Sequence, residues 1–524
     1  MLKAESYRRG GLYSTALQIV AQGLSFVFNL VMAYCFGAVD ATDVLNYCVT
    51  TFMLVASFML VLDSTVLIPE AIRRRHQESP ESSMQFLNFF LYLFSGITLA
   101  LALVTAWRPI EFLTAISRFD VATLEANRNL IMWVIPVFAL QLLSQYINSI
   151  LVSYKYFSLP AFWGVICRVF NIVYVLMFHR QLGVVALAQS IILGLLLQAM
   201  VSFWLLRRRL KWRFSFKWPH ISSSVWRNIV YTELGVLAFA FASFTPILMA
   251  SAAEEGFVTA MNYAMKMSAV PEALLGGQIA LIVGIKLSEL SARRDSVGFG
   301  RAYERVSQFM IWLCVPLAFV LSLAAPGLLR ILMLRGAYSE EALRVTARLF
   351  QGLVLGFPMT VSHALVYQAL AAQQKVLLRN VFNIIQNAVL VAALWWGVPR
   401  IGIINYPFIK VSYVYLLYLI SLPVWRYWFS GVRIGRVFGF LVGSMVVNGL
   451  LAAGIWWLMA SWSYGETMLG TLLLASGFII LAGLLMVLCP WNRVPAAYAK
   501  ELWRSGMRSF YRQRTHEEVS HAID

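Results

Sequence analysis

The stretch Ala260–Gln278, AMNYAMKMSAVPEALLGGQ, decides how this chain is read. It lies in an apolar run long enough to cross a bilayer, yet it contains Lys266 and Glu272. A charge at the bilayer centre costs about 2.5–3.5 kcal/mol on insertion scales, so chains keep one where it faces water, a ligand or a partner. With Pro271, Gly276 and Gly277 beside them, these residues predict a helix that bends around a cavity. Lys266 then offers a cation to an anionic group such as a phosphate. The plainer reading is that Lys266 snorkels to the near end of the span.

The rest of the chain repeats the apolar theme. Its 524 residues are 60% hydrophobic and 13% charged, against about 25% charged in a soluble domain. That composition describes an all-α polytopic membrane protein with no separable soluble domain. The N-terminal apolar run is too long for a signal peptide and reads as a retained helix. A helix needs about 20 apolar residues to span. Such runs fall at 11–37, 44–69, 85–106, 129–153, 157–178, 183–206, 226–252, 258–290, 307–333, 345–372, 377–397, 402–424, 436–460 and 467–490, about fourteen in all. Pro69, Pro160, Pro271, Pro326 and Pro358 are natural kink sites.

A net charge of +18 suggests nucleic acid at first sight, but the cations sit in short loops between spans. With the N-terminus inside, 30 Lys and Arg fall in inner segments and 8 in outer ones. The positive-inside rule then places both termini in the cytoplasm. The most basic loop, within 207–225, divides helices 1–6 (1–206) from helices 7–12 (226–424). Two extra helices follow at 436–490, and a basic tail at 491–524 reads as interfacial. A faint echo links TDVLNYCVTT (Thr42–Thr51) to VTAMNYAMKM (Val258–Met267), each after a short acidic loop. Repeated halves with a site between them are a common transporter plan. The five cysteines are scattered like packing residues, and neither an ATP-binding loop nor a metal motif is present. Transport would draw on an ion gradient, the membrane potential or the substrate's own gradient.

The other charged and polar residues inside spans complete the candidate set. Arg168 is too deep for snorkelling and is a second substrate-binding candidate, with Glu272 a third. Glu233 is a candidate for a proton or Na+, and Asn383 and Asn387, four apart on one helix face, are candidates to ligate that cation with it. Each also has a structural reading as an ion pair or an interhelical hydrogen bond. His363 and Lys410 are weaker candidates, and Asp63 and Arg348 read as structural.

FGAVDATD (Phe36–Asp43), NYAMKMSAVPEALLGGQIALIVGIKLSEL (Asn262–Leu290) and RGAYSEEALRVTARLFQGLVLGFP (Arg335–Pro358) resemble elements of the MurJ/MviN lipid II flippases. ALAAQQ (Ala369–Gln374) resembles the inner end of that family's tenth helix. The resemblance implies the multidrug/oligosaccharidyl-lipid/polysaccharide exporter fold, with two six-helix lobes around a central cavity. It also implies that the last two helices form a groove for a polyprenyl tail. It places Lys266 where the family carries a functional arginine. The chain departs from the family in its first two helices, where Phe28, Asn29, Tyr34, Ala56 and Ser57 replace basic residues. Lysine lacks the bidentate fork of arginine, so a related lipid-linked envelope or exopolysaccharide precursor competes with lipid II as substrate.

The expectation is therefore a multi-pass protein of the bacterial inner membrane. It is a non-enzymatic flippase for a polyprenyl-diphosphate-linked saccharide, without a cofactor or metal, with Na+ or H+ coupling open. Its partners are that lipid, bulk membrane lipid and envelope-glycan enzymes, with no nucleic acid. The alternatives are a cation-coupled drug or metabolite exporter and a non-transporting scaffold for envelope synthesis.

Overall fold

Prolines, glycines and caps set the helix limits. In a computed structural model the described residues are 7–62, 66–154, 156, 158–273, 278–373, 375–428, 432–460 and 468–488, with 495, 497 and 500. Among them every regular element is helical. The first nine helices are α1 (Tyr7–Phe36), α2 (Asp40–Leu62), α3 (Ile68–Gln77), α4 (Pro80–Trp107), α5 (Pro109–Ile116), α6 (Val121–Ala126), α7 (Arg128–Ser153), α8 (Ser158–Leu182) and α9 (Val185–Arg209). They are followed by α10 (Ser223–Ala250), α11 (Phe257–Pro271), α12 (Gln278–Ala292), α13 (Ser296–Met333), α14 (Glu340–Leu355) and α15 (Phe357–Ala372). The last four are α16 (Val376–Ile401), α17 (Tyr406–Trp428), α18 (Ile434–Ala460) and α19 (Met468–Leu488). Asp63, Gly276, Gly277 and nearly all of the tail at 491–524 lie outside the described residues.

Eleven helical segments among the described residues are long and apolar enough to cross a membrane. The other three expected spans correspond to α2, to α11 with α12, and to α19. The expected span at 44–69 is described as α2 to Leu62 and, past residues 63–65 outside the described set, reaches the start of the separate element α3. The span at 258–290 breaks where expected: the α-helix ends at Pro271 and passes into a π turn at Glu272. Proline lacks the donor that would continue the ladder. The span at 345–372 is likewise two helices, divided at Gly356 just before Pro358. Elsewhere, local chemistry starts a helix. Ser79 accepts a hydrogen bond from Ser82 N at 3.1 Å and Pro80 occupies the first turn of α4.

The described residues fall into two compact units. One comprises those up to Tyr263, with Leu332–Thr346 and Val381–Tyr406. Its core is built on α7, which packs against α2, α4 and α9, while α1 packs on α8. Phe86 and Phe90 of α4 meet Tyr146 and Ile150 of α7 and Leu206 of α9 there, all almost fully buried. The other unit comprises the described residues of Ala264–Ile331, Ala347–Asn380 and the chain from Pro407 onward. In it α12 packs on α15, and α18 and α19 close around Ala452, Ile455 and Phe478 with Phe319 of α13 against them. Large apolar side chains face outward, including Leu99 and Leu103 on α4 and Val173 and Met177 on α8. Such faces suit hydrocarbon, not water.

Candidate functional site

Three polar residues of α2 meet the start of α11. A helix begins with four amide N–H groups that have no partner within the helix, and a carboxylate there also meets the positive end of the helix dipole. For α11 the carboxylate comes from another helix. Asp43 accepts from Gly256 N and Thr259 N, each at 2.8 Å. Further along the same pair, Asn46 Nδ2 donates to Thr259 Oγ1 at 3.2 Å and Asn262 Nδ2 donates to Thr50 Oγ1 at 3.2 Å. Tyr47 and Tyr263, the tyrosines of the two echoing segments, are both fully buried. The repeat read from sequence is thus a physical contact between α2 and α11.

Backbone approach tightens this end. Gly256 has φ +82°, and a Cβ there would stand 2.6 Å from the Ala38 carbonyl oxygen. Gly336 has φ +69°, and its Cβ would run into the Tyr34 carbonyl, while its neighbour Ala337 N donates to that same oxygen at 2.9 Å. Tyr338 lies edge-on to Tyr263, with ring centres 5.9 Å apart. The turns after α1, before α11 and before α14 therefore interlock. Sequence reasoning quoted FGAVDATD and RGAYSEE as family marks and missed that they form one joint. The signal was present, since each joint segment carries a glycine followed by Ala or Phe beside an acidic run.

The expected site residues follow from here. Lys266 is one turn beyond Asn262 on the same face of α11 and is exposed. Glu272 sits past Pro271 at the π turn, where its charged neighbour is Lys410 of α17 and its hydroxyl neighbour is Thr360 of α15. Lys410, the weaker candidate, thus joins Glu272. Arg168 is half-buried on α8. Glu233 on α10 is half-buried, with Oε2 shut from solvent and without a hydrogen-bond partner among the described residues. Asn387 Nδ2 donates to Asn383 O at 2.8 Å and Asn383 Oδ1 at 3.0 Å, so these two do share a face of α16. Arg168, Glu233 and the asparagines belong to the first unit, and Lys266 and Glu272 to the second. Of the positions that depart from the basic pattern, Asn29 is buried and turned to Ser25 O at 2.8 Å, and Ser57 Oγ bonds Leu54 O at 2.6 Å. Both serve their own helices.

The family model described as "Lipid II flippase MurJ" matches residues 32–478, from the end of α1 into α19. The chain belongs to the lipid II flippase MurJ family. A curated relative from Borreliella burgdorferi, described as a probable lipid II flippase MurJ, is 20% identical over 343 residues. That alignment covers 64% of this chain and 66% of the relative, just under two thirds of its length. Among solved structures, a MurJ lipid II flippase in an inward closed conformation superposes with a TM-score of 0.73 at 14% identity, covering 91% of this chain and 99% of that one. An inward-facing multidrug resistance MATE transporter of the MOP superfamily gives 0.63 at 14% identity, covering 80% and 98%. At such identities these likenesses show the fold. The MurJ-family fold accounts for more of this chain than the MATE-type fold does.

Proposed function

We propose that this chain is a flippase that carries a polyprenyl-diphosphate-linked saccharide, lipid II or a related envelope precursor, across the bacterial inner membrane. The observation that carries the reading is the family match at 32–478, which continues through α18 and into α19, beyond a twelve-helix transporter core. An extra pair of helices suits a substrate whose tail stays in lipid while its headgroup crosses. No bond is made or broken in such a step, so the protein acts as a transporter and not as an enzyme, and needs no cofactor.

In this mechanism both termini are cytoplasmic, and the halves 1–206 and 226–424 alternate access by rocking. Lys266 is the candidate for binding the diphosphate and Arg168 a second candidate, while Glu272 with Lys410 balances charge where α11 ends. The cap of α11 by Asp43 would close the outer side while the headgroup enters from within. Glu233, Asn383 and Asn387 form the candidate site for Na+ or H+ coupling. The unpartnered Glu233 oxygen supports that role, because a buried acceptor without a donor invites a proton or a cation.

The test is growth rescue in cells depleted of their own lipid II flippase, with wild type, Lys266→Ala and Lys266→Arg at matched membrane levels. Rescue by wild type and Lys266→Arg, with at least tenfold fewer survivors for Lys266→Ala, supports a lipid II flippase that uses this cation. Failure of a correctly inserted wild type assigns another lipid-linked saccharide, to be sought as the lipid that accumulates when the native gene is removed.

A further inference from the structure

The segment between α9 and α10 is more than a connection. With the last turn of α9, residues 207–222 carry six Arg or Lys, all before Trp218, with His220 besides, and no acid. From Lys211 to Ile221 the backbone is non-helical. It is pinned at three points. Trp212 is buried and donates from Nε1 to Asn88 Oδ1 at 2.8 Å, Asn88 Nδ2 returns a bond to Arg213 O at 2.8 Å, and Arg74 Nη2 holds His220 O at 2.6 Å. Asn88 and Arg74 are themselves buried.

Between these anchors the side chains turn outward in an uncommon mixture. Phe216 and Trp218 are 78% and 79% exposed. They do not stand free in water: the Phe216 ring lies 5.1 Å from Tyr92 and the Trp218 ring 5.1 Å from Phe89, both on α4. The same helix continues into exposed Leu93, Ile97 and Leu99, the apolar flank that faces hydrocarbon. The strap therefore climbs onto the lipid-facing side of α4. Aromatic rings settle at the headgroup level of a bilayer, and cations beside them reach the phosphates.

We propose that this strap is an anchor for anionic phospholipid headgroups, with Phe216 and Trp218 set into the interface and Arg207, Arg208, Lys211 and Lys217 holding the phosphates. The four cations are exposed and share no strap carboxylate. Each cation at such a surface strengthens association by about fivefold. The anchor holds the link between α9 and α10 against the membrane, independently of which lipid-linked substrate the protein moves.

The experiment counts lipid adducts on the full chain by native mass spectrometry during titration with phosphatidylglycerol, and with phosphatidylcholine for comparison. The variants are Arg207→Gln/Arg208→Gln/Lys211→Gln/Lys217→Gln and Phe216→Ser/Trp218→Ser, all at exposed positions. A control, Arg293→Gln/Arg294→Gln/Arg301→Gln/Arg305→Gln, removes as much charge elsewhere. The expected result is at least tenfold weaker phosphatidylglycerol binding in the charge variant and a smaller loss in the aromatic one. The control and the phosphatidylcholine titration stay as in wild type. Equal loss in the control reduces the effect to net charge and overturns the proposal. Unchanged lipid binding, together with strap-dependent binding of an acidic protein, overturns it in favour of a protein partner.

Discussion

Glu70 shows what a single side chain contributes away from the spans. It lies on α3, where Arg73 Nη2 approaches it at 2.7 Å and Arg74 Nε at 2.9 Å, with its own side chain only 9% exposed. The Arg73 hydrogen bonds, then those of Arg74, hold its carboxyl below the usual carboxylate range despite burial. A depressed folded-state pKa gives stability that is present above the unfolded value, about 4.3 for glutamate, and is lost as pH falls through the folded value. Glu70→Gln should thus melt below wild type at pH 7. The gap should close only below about pH 4, as followed by thermal denaturation across pH. The carboxylate pattern EAIRR is legible in the sequence as a helical i,i+3 and i,i+4 pair. Lys266 was legible too, because a cation in an apolar run stands out. Asp43 was not, since its amide partners lie 213 and 216 residues away and no local pattern announces them.

Among elements, the joint of α1, α2 and α11 separates two kinds of glycine. Gly256 and Gly183 both have positive φ, but only Gly256 faces a backbone carbonyl, while the space around Gly183 is open. Gly183→Ala therefore meets only the left-handed backbone cost of about 1–2 kcal/mol. Gly256→Ala adds a collision with Ala38 O that no rotamer relieves, for a total of about 3 kcal/mol. Thermal melts of the two variants at equal membrane level should rank them in that order. Equal melts would mean that the loop before α11 does not hold its close approach. The breaks at Pro271 and before Pro358 were legible because proline removes an amide donor from the ladder, although α13 runs on through Pro316 and Pro326. The short helices α5 and α6 were not expected, because neither has the length or apolar periodicity that marks a span.

For the molecule as a whole, composition fixed the class and loop charge suggested a topology, whereas the grouping into units came only from three dimensions. The first unit takes in Leu332–Thr346 and Val381–Tyr406, pieces far along the chain that no composition change marks off. Removing residues 434–524, with α18 and α19, should leave a helical, membrane-inserted protein that fails to rescue flippase-depleted cells. Circular dichroism and membrane fractionation check the first part and colony counts the second. Rescue by the shortened chain would mean that twelve helices suffice to move the lipid. The cap on α11 also imposes an order in time. Asp43 leaves the ribosome long before Gly256 and Thr259, and at about 5–20 residues per second the wait is roughly 10–40 s. During that interval a carboxylate destined for burial has no amides to receive it. The early helices therefore have to rest in the membrane in a provisional arrangement until α11 arrives to complete them.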